Sequence, residues 1–206
     1  VSIINGEQIS TLLWEYGKNS LILGLSAVFL TYAIGIPLGL LAAAKRNTWI
    51  DHTTSTFAAI LMGIPNFWLA LLLITLFSVK LGWLPAGGMA DIRPDTPWST
   101  ALADQLRHLA LPVLTLALVQ LGGYTRFMRG AMIEALRQDY VRTARAKGAS
   151  ERMVLWRHAF ANALSPVLTI LALSFGGLVS GALITETMFA WPGMGKLLIE
   201  SINLLD

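Results

Sequence analysis

Long stretches of this chain contain no Asp, Glu, Lys or Arg, and short, densely charged stretches separate them. Four such uncharged runs stand out: Asn19 to Ala44, His52 to Val79, His108 to Thr125 and His158 to Thr185. A bilayer core about 30 Å thick is crossed by about 20 helical residues. Three of the runs exceed that length and the third nearly reaches it, whereas a core helix of a soluble protein is usually shorter. The apolarity is continuous rather than alternating, which excludes a strand barrel. The pattern predicts an all-α fold: a polytopic transmembrane helical bundle with four spans in this segment. Each run carries one proline (Pro37, Pro65, Pro112 and Pro166). Membrane helices tolerate proline where neighbours satisfy the freed carbonyl. Small residues recur at helix-packing spacing in Gly35-Ile-Pro-Leu-Gly39 and Gly177-Leu-Val-Ser-Gly181, and the expected role is close helix packing.

Composition agrees with this pattern. Of 206 residues, 55% are hydrophobic and 13% charged, against about a quarter charged in a soluble domain. Cysteine is absent, which excludes disulfides, thiol chemistry and cysteine metal sites. The chain begins at Val1 with no signal-peptide pattern. The expectation is a missing N-terminus.

The net charge of +3 carries information through its placement. Eight of the fifteen basic residues fall between Arg126 and Arg157: Arg126, Arg129, Arg137, Arg142, Arg145, Lys147, Arg152 and Arg157. Lys and Arg concentrate on the cytoplasmic side of membrane proteins. This segment is therefore expected in the cytoplasm, together with the Lys45-Arg46 turn. The loop Lys80 to Arg107, with Asp91, Asp95 and Asp104, is expected outside, as are both ends of the chain. No nucleic-acid partner is implied; membrane lipid is.

The segment 130–158 is too polar for lipid and reads as a cytoplasmic loop inside a single membrane domain covering 1–206. Asp139 is expected to cap a short helix, Lys147 to complement its last turn and Gly148 to stop it. Ser150 is expected to cap a further helix that runs into the fourth span. Tyr140, Val141 and Ala144 share one face of the short helix, with Arg142 and Arg145 elsewhere. A basic amphipathic helix can rest on anionic lipid, but this apolar face is about one turn long. A short capped helix projecting from a bundle is better suited to a protein cleft.

The run Asp139-Tyr-Val-Arg-Thr-Ala-Arg-Ala-Lys-Gly148, followed by Arg157-His-Ala-Phe-Ala-Asn162-Ala, resembles the cytoplasmic loop of ABC importer permeases. The likeness is strongest to the dipeptide/oligopeptide/nickel branch. Phe189-Ala-Trp191-Pro192-Gly193-Met-Gly195 resembles the same branch. The general motif of these permeases has Glu-Ala-Ala, three residues, Gly, nine residues, Ile, one residue and Leu-Pro. Aligned on Gly148, this chain has Arg142-Thr143-Ala144 at the first triplet and His158, Phe160 and Ala161 at the later positions. It keeps Ala144 and Gly148 and lacks the leading Glu.

The resemblance implies the MetI-like permease fold, with one further span at each end of this segment. It implies a coupling helix that docks on an ATPase subunit, with Asp139, Tyr140, Arg142, Ala144, Lys147 and Gly148 as interface candidates. It also implies a second permease subunit, two ATP-binding subunits and an extracytoplasmic solute-binding protein. The function so implied is ATP-driven import of peptides, or of nickel chelates or related small solutes, through an alternating-access pathway in a bacterial or archaeal cell membrane.

The chain's own residues offer no catalytic machinery. Gly193-Met-Gly195-Lys196 lacks the glycine and the Ser or Thr of a phosphate-binding loop, so ATP hydrolysis falls to other chains. His52, His108 and His158 stand singly at span edges. No metal spacing, nucleophile–base pair or cofactor motif is read. The spans hold no ionisable carboxylate, which argues against the alternative of a secondary transporter or channel. Glu186 follows the fourth run and is expected to mark the membrane interface. Asn66, Gln120, Ser174 and Ser180, polar side chains near the kinks, are the solute-pathway candidates; an amide facing lipid is costly, so Asn66 and Gln120 are expected either to line the pathway or to hydrogen-bond another helix.

Overall fold

The computed structural model describes residues 8–91, 97–179 and 183–204; for 174–179 and 204 it describes the backbone. Among the described residues the regular structure is helical: α1 Ile9–Ala44, α2 Trp49–Gly63, α3 Asn66–Leu73, α4 Trp98–Leu136, α5 Asp139–Ala146, α6 Glu151–Met153, α7 Ala161–Val179, α8 Leu183–Met188 and α9 Met194–Leu204. π-Helical winding continues α3 through Ile74–Lys80 and joins α6 to α7 through Val154–Phe160.

Two of these helices, α1 and α4, are each long and apolar enough to cross a membrane, or three if α2 and α3 form one span. The run from His52 to Val79 is divided at Pro65. This residue is extended (ψ 138°) and serves as the N-cap of α3. Pro37, Pro112 and Pro166 remain inside α1, α4 and α7. The third run lies within the 39 residues of α4, about 58 Å at 1.5 Å per residue. That length exceeds a bilayer core, so α4 carries ordered helix into both flanking polar segments. The fourth run ends at Thr185 in α8, and its residues 180–182 lie outside the described ones. Six of the seven tryptophans are exposed: Trp14, Trp49, Trp68, Trp83, Trp98 and Trp156. They stand at or near helix ends, where tryptophan favours the membrane–water boundary.

The chain forms two compact units that share the long helices. One comprises Val1–Leu30, Ile64–Ala117 and Gly176–Asp206. Its core gathers Leu23 and Ala27 of α1, Val113 of α4 and the buried Trp191. The indole Nε1 of Trp191 donates to the Asn19 carbonyl at 3.1 Å, and Asn19 Nδ2 donates to the Pro192 carbonyl at 2.9 Å. The expectation for Glu186 is corrected here. Rather than marking an interface, it is fully buried. Its Oε1 accepts from Ser20 Oγ at 2.6 Å, and its Oε2 accepts from the backbone N–H of Gly195 at 2.7 Å and of Lys196 at 3.3 Å. Gly195 and Lys196 open α9, so Glu186 satisfies helix N–H groups that have no partner within the helix.

The other unit comprises Thr31–Gly63 and Leu118–Phe175. Leu40 and Ala43 of α1 pack on Met128, Met132 and Ala135 of α4, with Ala159, Ala163 and Val167 of the following helical run. The small-residue pair in α1 works as its spacing predicts. A Cβ on Gly39 would lie 2.6 Å from the Thr125 carbonyl oxygen and 2.7 Å from Met128 Cβ, so only glycine permits this approach of α1 to α4. Gly181 of the second pair lies outside the described residues, as do Ser180 and Asp95.

Candidate functional site

The segment between α4 and α7 folds back on itself. Gln138 (ψ 151°) is the N-cap of α5, without a side-chain hydrogen bond. Asp139 is therefore the first helical residue rather than the cap; its charge lies near the helix N-terminus, where a negative group is favourable. The helix is closed by the Lys147 and Gly148 N–H groups, which donate to the Thr143 and Arg145 carbonyls at 3.1 and 2.9 Å. Gly148 has φ +82°, which a residue with a Cβ adopts poorly. A Cβ there would meet nothing within 4 Å, so the need for glycine is conformational and no neighbour obstructs the position. Ser150 caps α6 as expected, accepting from the Met153 N–H at 3.4 Å.

This hairpin has its own small core. Val141 and Val154 are fully buried and Ala144 is 8% exposed, with Leu136 and Ala149 packed around them. Ala144 is therefore part of the hairpin's interior, and its side chain is not presented outward. Arg145 clamps the hairpin with a fork onto Glu151: Nε donates to Oε1 at 2.8 Å and Nη2 to Oε2 at 3.1 Å. Those hydrogen bonds hold the Glu151 carboxyl below the ordinary glutamate value. Partial covering of the Tyr140 ring by its neighbours pushes its phenol up.

What remains on the outside is a set of groups around one rigid two-turn helix. Asp139 and Arg142 are exposed and loosely paired at 3.4 Å; Tyr140, Lys147 and Gly148 are exposed as well. Chemically, this is a small knob bearing both signs of charge and one phenol on a hairpin held by its own small core and the Arg145–Glu151 fork.

The same unit contains an ion pair that sequence reasoning did not find. Arg129 Nε donates to Asp51 Oδ1 at 2.5 Å and Nη2 to Oδ2 at 2.8 Å. Asp51 also accepts from the Asn47 N–H at 2.9 Å and from Ser55 Oγ at 3.3 Å, and is 2% exposed. The pair borders an open cleft of ≈ 460 Å³ lined by Asn47, His52, Ser55 and Arg126 among others. No local sequence signal marks the pair, because seventy-eight residues separate Asp51 from Arg129.

Asn66 Nδ2 donates to Thr185 Oγ1 at 3.0 Å, and Thr185 is fully buried. This bond joins α3 to α8. Gln120 is half-buried in α4. Ser174 lies in α7, where only the backbone is described. His108, expected to stand alone, is buried beside Asp91 and Asp104.

Among the described residues the architecture is helical, with α1 and α4 each long and apolar enough to cross a membrane. It aligns with a solved structure of the MetNI methionine ABC transporter in an inward-facing conformation, with a TM-score of 0.73 over 95% of this chain and 82% of that one, at 19% identity. Residues 35–206 match the binding-protein-dependent transport system inner membrane component family, and the chain belongs to that family. Among its curated relatives is the di/tripeptide transport system permease protein DppB of Pseudomonas aeruginosa. That protein is 44% identical over 198 residues, a match covering 89% of this chain and 59% of the relative. The oligopeptide transport system permease protein AppB of Bacillus subtilis is 40% identical over 196 residues, covering 95% and 61%. The chain thus spans about six tenths of the length of these relatives.

Proposed function

We propose that this chain is a membrane-spanning part of a permease subunit of an ATP-driven importer for peptides or related small solutes. The observation that carries the proposal is the family match over residues 35–206, which includes the whole α5–α6 hairpin. The peptide-permease relatives favour peptides as the solute class. The segment contributes four spans, with Arg126 to Arg157 in the cytoplasm and both ends of the segment outside. It works with a second permease subunit, two ATP-binding subunits that hydrolyse ATP, and an extracytoplasmic solute-binding protein. Closure of the ATPases pulls on α5, and the spans alternate access between the two sides. Asp139, Tyr140, Arg142, Lys147 and Gly148 meet the ATPase, while Ala144 supports them from within. Asn66, Gln120, Ser174 and Ser180 stay the candidates for the solute pathway.

Two measurements test this. The chain has no native cysteine, so single cysteines at Ser99 and Ala149 can be labelled in intact cells with an impermeant thiol reagent. Labelling of the first and protection of the second are expected; the reverse removes the topology. Reversing the exposed charges with Arg142→Glu and Lys147→Glu is expected to cut co-purification of the ATPase at least tenfold while membrane insertion is retained. Unchanged recruitment and uptake would sink the importer reading.

A further inference from the structure

His108 is 2% exposed, and its two ring nitrogens have different surroundings. Nδ1 lies 2.9 Å from the backbone oxygen of Asp104, one helical turn earlier in α4. A carbonyl oxygen only accepts, so Nδ1 carries the hydrogen, and in the neutral ring Nε2 is left with a lone pair. Nε2 is buried and makes no hydrogen bond. It faces Asp91 Oδ2 at 3.6 Å. That separation is too long for a shared hydrogen bond, yet it sets two electron-rich atoms against each other. The Asp104 carboxyl completes the group. Its Oδ1 is 3.6 Å from His108 Nδ1, and its Oδ2 accepts from the Asp91 N–H at 2.8 Å. One ligand atom from each of the three residues lies within 4.8 Å of the other two.

Two ligands on one tetrahedral ion, at bond lengths of about 2.0–2.2 Å, stand about 3.3–3.6 Å apart. The Nε2–Asp91 separation has that value. The hydrogen bond from Nδ1 to a backbone carbonyl is also the usual arrangement that orients a metal-binding imidazole. The backbone that delivers Asp91 is fixed. Gly88 N–H donates to the Phe189 carbonyl at 2.8 Å, and Gly87 lies so close to the Phe189 backbone that a Cβ would not fit.

We propose that Asp91, Asp104 and His108 bind a divalent first-row transition cation. One imidazole and two carboxylates suit Zn²⁺ or its neighbours better than Ca²⁺ or Mg²⁺, which prefer all-oxygen shells. Three protein ligands leave a coordination position for water or an external group, on the side where the Asp91 side chain is 84% exposed. The ion ties the segment before Asp91 to the first third of α4.

Chelator-treated permease in detergent, dialysed against Zn²⁺ and analysed for bound metal, is expected to hold one equivalent at micromolar or lower free concentration. Asp91→Asn, at a side chain that is 84% exposed, is expected to weaken binding at least tenfold. Asp104→Asn should do likewise, and His108→Gln should abolish stoichiometric binding. Co²⁺ is a second probe: its visible absorption is expected with the parent and not with His108→Gln. Absence of stoichiometric Zn²⁺ in the parent, or binding by Asp91→Asn and His108→Gln equal to the parent, would overturn the site.

Discussion

The carboxyl group of Glu186 occupies the space that a Cβ on Gly193 would need. The two residues lie on either side of the Trp191-Pro192 turn, and the chain closes around a fully buried acid. Ser20 Oγ ties the arrangement to α1, donating to Glu186 and accepting from the Met194 N–H at 2.8 Å. Gly193→Ala is expected to destabilise the protein by about 1–3 kcal/mol, the usual cost of overpacking. Glu186→Ala, which orphans the Gly195 and Lys196 N–H groups, is expected to cost at least as much. Thermal unfolding in detergent measures both, and a parent-like transition for Gly193→Ala would show that the site has room to relax.

The Asp51–Arg129 fork sets a second expectation. Removing one partner of a buried pair leaves an uncompensated charge, typically at a cost of about 3–5 kcal/mol. Arg129 is 30% exposed, so Arg129→Met belongs at or below the lower end of that range. The double change Asp51→Leu with Arg129→Met is expected to be milder than the single one. A double-mutant cycle on unfolding decides this, and strict additivity would mean that the pair contributes no coupling.

The hairpin should depend on pH through Glu151. Its carboxyl is lowered from 4.5 by the hydrogen bonds from Arg145. The unfolded hairpin therefore binds the proton first as pH falls. Stabilisation by the fork is complete above the ordinary glutamate value and is lost as pH drops through the lower folded value. Both side chains are well exposed, so the effect is under about 1 kcal/mol. Amide exchange at Ala149 and Val154, whose N–H groups donate to the Ala144 and Ser150 carbonyls, should speed up in acid, beyond its intrinsic pH dependence, in the parent. Glu151→Gln should be flat, and equal behaviour of the two would remove the fork as the cause.

Ala144 and Gly148 separate two kinds of damage. Ala144→Glu forces a charge against Val141 and Val154, so the hairpin itself is expected to open, with protease cleavage appearing between 137 and 150. Gly148 has open space around it, so its cost is set by φ alone. Gly148→Ala is expected to cost about 1–2 kcal/mol, Gly148→Val more and Gly148→Asn less, because asparagine tolerates the left-handed region. Equal stability across the three would contradict the backbone as the reason.

The apolar runs, the absence of alternation and the clustered basic residues determined the helical membrane class, and Gly35 and Gly39 announced their own packing by spacing. The hairpin was legible too, because caps and stops act over a few neighbouring residues: Ser150 and Gly148 act as predicted, and Gln138 rather than Asp139 caps α5 because the extended residue one position earlier already precedes the first turn. Only tertiary structure decided the burial of Glu186, the pairing of Asp51 with Arg129 and the convergence of Asp91 on His108. These depend on which chain segments meet across long sequence separations, and a lone charge beside an apolar run looks the same whether it faces water or a buried partner. The Asp104–His108 spacing of one helical turn is visible in the sequence, but Asp91 reaches it because Gly87 and Gly88 lay the preceding loop against Phe189.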